Sequence, residues 1–365
     1  MTVTDRRLAG PVRIVGTGLL GTSIGLALTA RGVDVSLADT SPSSVALAVD
    51  YGAGRRAAAG DAPELIVVCV PPDVTAAMIA RELEAFPEAL VTDVASVKAG
   101  PLAELIAAGA DVSRYIGSHP MAGRERSGAI SARADIFIGR PWVIAGHDGI
   151  SYRRAAAVEQ LALDLGAIPI EMSTEEHDRN VALVSHVPQV VASLLATRLT
   201  GAPDAAVSLA GQGLRDTTRI ASSDPELWVQ ILSANAGAVV DVLRQYLDDL
   251  DGLLAALEDP DARGSRRAIA EALAAGNAGV ARIPGKHGQS AQFAQLVVIV
   301  NDTPGQLARL LTDIGEAGIN MEDLRLEHSP GAQIGLAEIS VLPEAEERLA
   351  TELTARGWRI SELSA

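Results

Sequence analysis

Short, unbroken apolar runs alternate with helical periodicity from Val12 to about Ala145. Val12–Val15, Val33–Ala38, Leu65–Val70, Leu90–Asp93, Arg114–Gly117 and Trp142–Ala145 read as strands. Because the runs are continuous rather than alternating, they suit strands covered on both faces, as in a parallel sheet flanked by helices. The expectation for residues 1–150 is therefore an α/β domain with a Rossmann-type, doubly wound sheet. From 151 to 281 the period becomes helical. Ser173 followed by Glu176 makes a capping box ahead of His177–Gln189, and Asp224-Pro225 is expected to open one long helix running to about Glu258. An all-helical domain this rich in Ala and Leu is expected to pack helix on helix, across a homodimer.

Residues 282–291 carry Pro, Gly, Lys and Gln with no period and read as a linker. The last stretch, 292–365, forms a new unit. Phe293–Val300, Ile319–Glu327, Ala332–Leu342 and a short run near Ile360 read as strands, and Thr303–Ala317 and Pro343–Arg356 as helices. The order βαββαβ is the ferredoxin-like arrangement.

Composition narrows the function classes. The 365 residues are 48% hydrophobic, enough for several domains with their own cores. A net charge of −16 argues against nucleic acid or an acidic membrane as partner, while leaving room for a small anion held by local arginines. The single cysteine, Cys69, has no internal disulfide partner and lies in an apolar run, which suits a reducing compartment. Arg6-Arg7 is followed directly by the first strand and glycine turn, so an export signal is not expected. The longest apolar runs fall far short of the ~18 residues of a membrane helix, so a cytoplasmic protein is expected.

Gly16-Thr17-Gly18-Leu19-Leu20-Gly21 follows the first strand and precedes a helix. In such a turn Gly16 permits the tight bend, Gly18 lets a pyrophosphate approach the backbone, and Gly21 allows close helix–strand packing. The amides of Leu19, Leu20 and Gly21 at the helix start then favour phosphate. A second strand ends at Asp39, where a carboxylate would accept from ribose hydroxyls and repel an extra 2′-phosphate, favouring NAD over NADP. The alternative for Asp39 is a cap or turn residue.

Ligands gather at the carboxyl ends of such strands. Two polar segments sit there, Asp93–Lys98 and Gly117–Glu125. An oxidoreductase acting on an alcohol needs a base for the hydroxyl proton, and histidine titrates in the right range. His119, opening a loop and fixed by Pro120, is the candidate, the alternative being a loop-tethering hydrogen bond. Ser96 would orient that imidazole or the reacting hydroxyl, unless it caps the following helix. His177-Asp178 and His186 share one helical stretch, with Asp178, Ala182, Ser185, His186 and Gln189 on one face. His186 reads as a ligand contact or as an interior histidine, and no metal-ligand spacing is present. Arg215 and Arg219 offer bidentate carboxylate binding or pairing with Asp216, Asp224 or Glu226, while Trp228 reads as a core residue by default.

Taken together, the chain resembles the prephenate/arogenate dehydrogenase family of tyrosine biosynthesis. The resemblance rests on GTGLLGTSIG at Gly16–Gly25, DVASVK at Asp93–Lys98, SHPMAGRERSG at Ser118–Gly128, HDRNVALVSHVPQ at His177–Gln189 and GLRDTTRIASSDPELW at Gly213–Trp228. The tail resembles an ACT domain through VVIVNDTPGQLARLL at Val297–Leu311 and Gly318–Asn320.

The resemblance implies oxidative decarboxylation of a cyclohexadienol with NAD. His119 would accept the ring hydroxyl proton, assisted by Ser96, and Arg219 would bind a substrate carboxylate. His186, Glu125 and Trp228 would line the pocket, and Asp216 would help organise it. Two departures stand out: Gln189 where the family often has a second histidine, and Arg215 where lysine is frequent. The ACT resemblance implies an amino-acid effector, L-tyrosine, at the loop containing Asn301, Asp302 and Gly305. The rival readings are a β-hydroxyacid dehydrogenase, for which no suitably placed helical lysine is seen, and a non-catalytic dinucleotide and amino-acid sensor.

Overall fold

The computed structural model describes residues 6–122, 128–150, 152–283, 293–328 and 334–361. It divides into two units, one of residues 1–200 and 218–245, the other of residues 201–217 and 246–365.

The first unit holds an eight-stranded sheet: β1 Val12–Val15, β2 Val35–Ala38, β3 Arg55–Arg56, β4 Leu65–Val68, β5 Leu90–Asp93, β6 Tyr115–Pro120, β7 Pro141–Gly146 and β8 Ile168–Ser173. Their spatial order is β3-β2-β1-β4-β5-β6-β7-β8. Pairing is parallel throughout except between β6 and β7. The chain reverses its direction of travel across the sheet between β1 and β4, so a crevice opens at the carboxyl ends of those strands. Gly16, Ser96 and His119 all lie at the carboxyl ends of parallel strands, after β1, after β5 and near the end of β6. Ile14, Leu37, Val67, Ile116 and Ile144 are buried in one core cluster and Val15, Ile66, Val68 and Val91 in another, as expected for strands covered on both faces.

All six strands expected from the apolar runs are present; two further ones escaped the pattern. β3 is two exposed arginines, with no apolar residue to betray it. β8 is largely exposed and contains Pro169, as an edge strand can. Because β8 pairs with β7, the sheet gains a last strand after the helix Tyr152–Asp164.

The run Thr174–Thr197 is a continuous helix whose middle, Ala182–His186, is a π-turn. Pro188 follows this turn and has no N–H to return to Val184, which favours the wider winding. The predicted cap is present, Ser173 Oγ accepting from the Glu176 amide at 3.1 Å. By length and composition this 24-residue helix could cross a membrane, which the search for unbroken apolar runs did not anticipate. Three of its ionisable residues, His177, Asp178 and His186, are nevertheless buried and hydrogen-bonded within the protein, while Glu175, Glu176 and Arg179 are exposed.

The single helix expected from Pro225 to Glu258 is instead two, Pro225–Ala234 and Ala236–Glu258, bent by 93° at Asn235. Asn235 is buried and its side-chain amide donates to the Asp178 carbonyl at 2.8 Å. That bond rewards leaving the helix at this point.

In the second unit β9 Ala294–Asn301, β10 Asp323–His328, β11 Ile334–Val341 and β12 Arg359–Ser361 form an antiparallel sheet in the order β10-β11-β9-β12. The helices Gln306–Glu316 and Pro343–Ala355 complete the βαββαβ order expected from the sequence. Val298, Ile339, Leu310 and Leu353 share its core.

Candidate active site

The glycine turn is built tightly around its backbone. Gly16 adopts φ +100°, and a Cβ at Gly21 would stand 1.9 Å from the Gly16 carbonyl oxygen, so no side chain fits there. A Cβ at Gly18, by contrast, would meet nothing within 4 Å. Gly18 caps the helix Leu19–Thr29 without a side chain, and the first-turn amides of Leu19, Leu20 and Gly21 have no carbonyl within the helix to bond. An open approach to bare amides at a helix start suits a pyrophosphate. Asp39 holds the turn: its carboxylate accepts from the Thr17 amide at 2.7 Å, the Thr17 hydroxyl at 3.0 Å and the Ser41 amide at 2.8 Å. The turn role weighed for Asp39 is thus real, and the half-buried carboxylate still has acceptor capacity for a ribose.

A cavity of about 460 Å³ brings together residues from four parts of the sequence. Ser96, His119, His186, Gln189, Arg219 and Trp228 all line it. Its size is that of an ordinary small-molecule site.

Behind His119 runs a chain of hydrogen bonds. His119 Nδ1 lies 2.9 Å from His177 Nε2, and His177 Nδ1 lies 2.7 Å from Asp178 Oδ1. Asp178 also caps the helix Ala99–Ala107, accepting from the Lys98 amide at 2.8 Å and the Ala99 amide at 2.9 Å. Burial pushes the Asp178 carboxyl up, but the bonds from His177, Ala99 and Lys98 outweigh it and hold the group below its ordinary range. Lys98 is wholly buried and paired with Asp93, which also accepts from the Tyr115 hydroxyl at 2.7 Å. Burial depresses the Lys98 ammonium, which Asp93 counteracts.

Desolvation lowers His119 well below the usual histidine value, with repulsion from His177, Lys98 and His186 adding to it. His186 bonds the Asn235 amide through Nδ1 at 3.2 Å and meets the Trp228 ring edge-on at 6.0 Å. Burial brings it down to about 4, against the pull of Asp178. Both imidazoles are therefore neutral near pH 7, the state a general base requires.

This has a consequence for stability. In the unfolded chain these histidines take up protons near pH 6.5, whereas the folded protein resists until lower pH. Their contribution is complete above that value and is lost as the pH falls toward about 4, where His186 titrates. Asp178 acts in the same sense further into acid, because its folded value is depressed. The thermal midpoint is expected to be level above about pH 7 and to fall steadily below about pH 6.5. Scanning fluorimetry across this range checks it; a midpoint constant down to pH 4.5 would contradict it.

Comparison with known proteins agrees with this geometry. Residues 24–170 match the prephenate dehydrogenase nucleotide-binding domain and residues 173–271 the prephenate dehydrogenase dimerization domain. A probable prephenate dehydrogenase, NovF, of Streptomyces niveus is 37% identical over 361 residues, covering 94% of this chain and 98% of its own. The chain belongs to the prephenate dehydrogenase family. Among solved structures, prephenate dehydrogenase from Aquifex aeolicus, in complex with hydroxyphenyl propionate and NAD+, superimposes with a TM-score of 0.66 at 25% identity, over 75% of this chain and all of that one (100%). Synechocystis arogenate dehydrogenase gives 0.61 at 26% identity, over 73% of this chain and 99% of its own.

Within this prephenate dehydrogenase fold, the sequence-derived candidates separate into three groups. His119, Ser96, His186, Arg219 and Trp228 meet at one cavity, and Trp228 is half-buried against it rather than a core residue. Ser96 is not the helix cap, because Lys98 takes that position and Asp178 serves it. Among the described residues the bond His119 makes is with His177, and no bond joins it to Ser96. Gln189, at the family's histidine position, is buried and bonds Ser193 at 3.3 Å and Ser223 at 3.4 Å. Asp216 is exposed in the second unit, accepting from Gln212 at 2.7 Å, and is not among the cavity residues. Glu125 lies outside the described residues.

The sequence pattern placed His177 in the helical stretch and Asp178 on the face shared with His186 but gave them no task, and Asn235 was missed. An asparagine amid the apolar positions of a supposed continuous helix was the available signal.

Proposed function

We propose that the protein is an NAD-dependent prephenate dehydrogenase, converting prephenate to 4-hydroxyphenylpyruvate by oxidative decarboxylation. The observation that carries this reading is one cavity lined by a neutral buried imidazole, His119, and a guanidinium, Arg219. The residues at Gly16–Gly21 fit a dinucleotide, with the Leu19, Leu20 and Gly21 amides for its pyrophosphate and Asp39 for its ribose. When bound, NAD supplies the hydride acceptor. His119 Nε2 receives the proton of the ring hydroxyl, Arg219 holds a carboxylate, and Ser96 and His186 bound the ring. Loss of carbon dioxide leaves an aromatic ring, so the protein needs only to orient the substrate and remove one proton.

Arogenate dehydrogenase is the second reading, favoured by the Synechocystis likeness. The two substrates differ only in a keto or amino side chain. The helical region is proposed to hold a homodimer together, with Leu183, Val184, Leu194 and Val229 among its exposed apolar residues. The domain division proposed is 1–150, 151–281 and 292–365, with β8 as an outlier of the first.

The tail is proposed to be an ACT domain that senses L-tyrosine at Asn301, Asp302 and Gly305, where Gly305 starts a helix with no side-chain cap. A cytoplasmic location completes the reading.

Purified protein is to be assayed with prephenate or arogenate, each with NAD or NADP, following cofactor reduction, and again with added L-tyrosine. The fastest reduction is expected with prephenate and NAD, slowed by tyrosine. Turnover of neither substrate would defeat the reading; turnover of arogenate alone would establish the second.

A further inference from the structure

We propose that His177 and Asp178 form a proton relay behind His119, taking over the positive charge that the substrate hydroxyl proton brings. The inference deepens the proposed dehydrogenase reading and rests on it for the role of His119.

The tautomers follow from one end of the chain. Asp178 Oδ1 is an acceptor only, held by the Lys98 amide at 2.8 Å as well as by His177 at 2.7 Å. His177 Nδ1 must therefore carry a hydrogen, and in the neutral ring its Nε2 is bare. At 2.9 Å that bare nitrogen takes a hydrogen from His119 Nδ1. His119 is left with Nε2 unprotonated, which is the form that accepts a proton from a substrate in the cavity.

The need for a second imidazole is electrostatic. A proton retained on His119 would sit in a desolvated site facing Lys98, His177 and His186, with Arg219 lining the same cavity. Lys98 is offset by its partner Asp93, but no carboxylate bonds His119 itself among the described residues. His177, in contrast, is fully buried against Asp178, so a charge there is paired at hydrogen-bond distance.

The transfer balances. The substrate O–H bond breaks as His119 Nε2–H forms; the His119 Nδ1–H bond breaks as His177 Nε2–H forms. His119 ends neutral, His177 cationic, and Asp178 stays a carboxylate throughout. Asp178 is also tied to the Asn235 amide through its carbonyl, so the acceptor end of the relay is rigid.

His177→Gln tests this, because a glutamine amide can give and take a hydrogen bond but cannot pass a proton. With prephenate and NAD, kcat is expected to fall roughly 10²-fold with KM and NAD affinity nearly unchanged. A rate close to wild type, or a loss that falls on KM or NAD affinity rather than on kcat, would overturn the relay. Nitrogen NMR of the ligand-free protein, labelled at histidine, gives an answer independent of turnover. Both His119 and His177 are expected as Nδ1–H tautomers near neutral pH. Finding His119 protonated at Nε2 would overturn the relay even in an active enzyme, and finding the expected tautomers in a protein inactive on prephenate would overturn only the proposed reaction.

Discussion

His119→Asn is expected to lower kcat on prephenate by roughly 10³-fold while leaving NAD binding intact. The side-chain amide of asparagine can still donate toward His177, so the loop and the buried hydrogen-bond chain should survive. What it cannot do is accept a proton at the position of Nε2. The loss should therefore appear in kcat, with KM little altered, because a base that acts only as the hydroxyl ionises contributes to the transition state and not to ground-state binding. The magnitude follows from the environment: His119 is kept neutral by burial and by the neighbouring Lys98, His177 and His186. Among the described residues lining the cavity, the other imidazole, His186, already engages Asn235 through Nδ1. Stopped-flow or steady-state reduction of NAD measures the rate, and quenching of tryptophan fluorescence by NAD measures binding. A variant within tenfold of wild type would remove His119 from its role.

How much of this was open to a reader of the sequence depended on which physical signal each residue carried. Strands buried on both faces announce themselves by unbroken apolar runs, which is why β1, β2, β4, β5, β6 and β7 were legible. β3 and β8 were not, because exposed edge strands place no demand on hydropathy. The glycine turn was readable since backbone geometry excludes any other residue at Gly21. The bend at Asn235 was hidden because its cause is a long-range bond to the Asp178 carbonyl, 57 positions earlier. The same applies to the cavity. Residue types and resemblance named His119 and Arg219, but the contact between His119 and His177 spans 58 positions and belongs to the packing of the helix Thr174–Val181 against the sheet. Helical periodicity could say that His177 and Asp178 lie close to His186 along one helix, not what they face.

Arg219→Gln is expected to act on the other side of the reaction. A substrate with two carboxylates approaching a chain of net charge −16 meets a repulsive mean field, so its affinity depends on local cations. Arg219 lines the cavity together with His119, His186 and Trp228, where its guanidinium can meet a substrate carboxylate. Exchanging the guanidinium for an amide removes a charge-assisted pair of about 2–3 kcal/mol, roughly 30- to 150-fold in affinity. Because the carboxylate is present equally in the ground and transition states, the change should fall on KM and leave kcat within a few-fold. Lysine at this position should recover part of the loss, since it restores charge without the bidentate fork. Raising the salt concentration should weaken substrate binding to the wild type more than to Arg219→Gln, because only the wild type has that charge to screen. If instead kcat collapsed and KM held, Arg219 would be acting on the reacting ring or its departing carboxylate, and the anchoring role would have to pass to another cation.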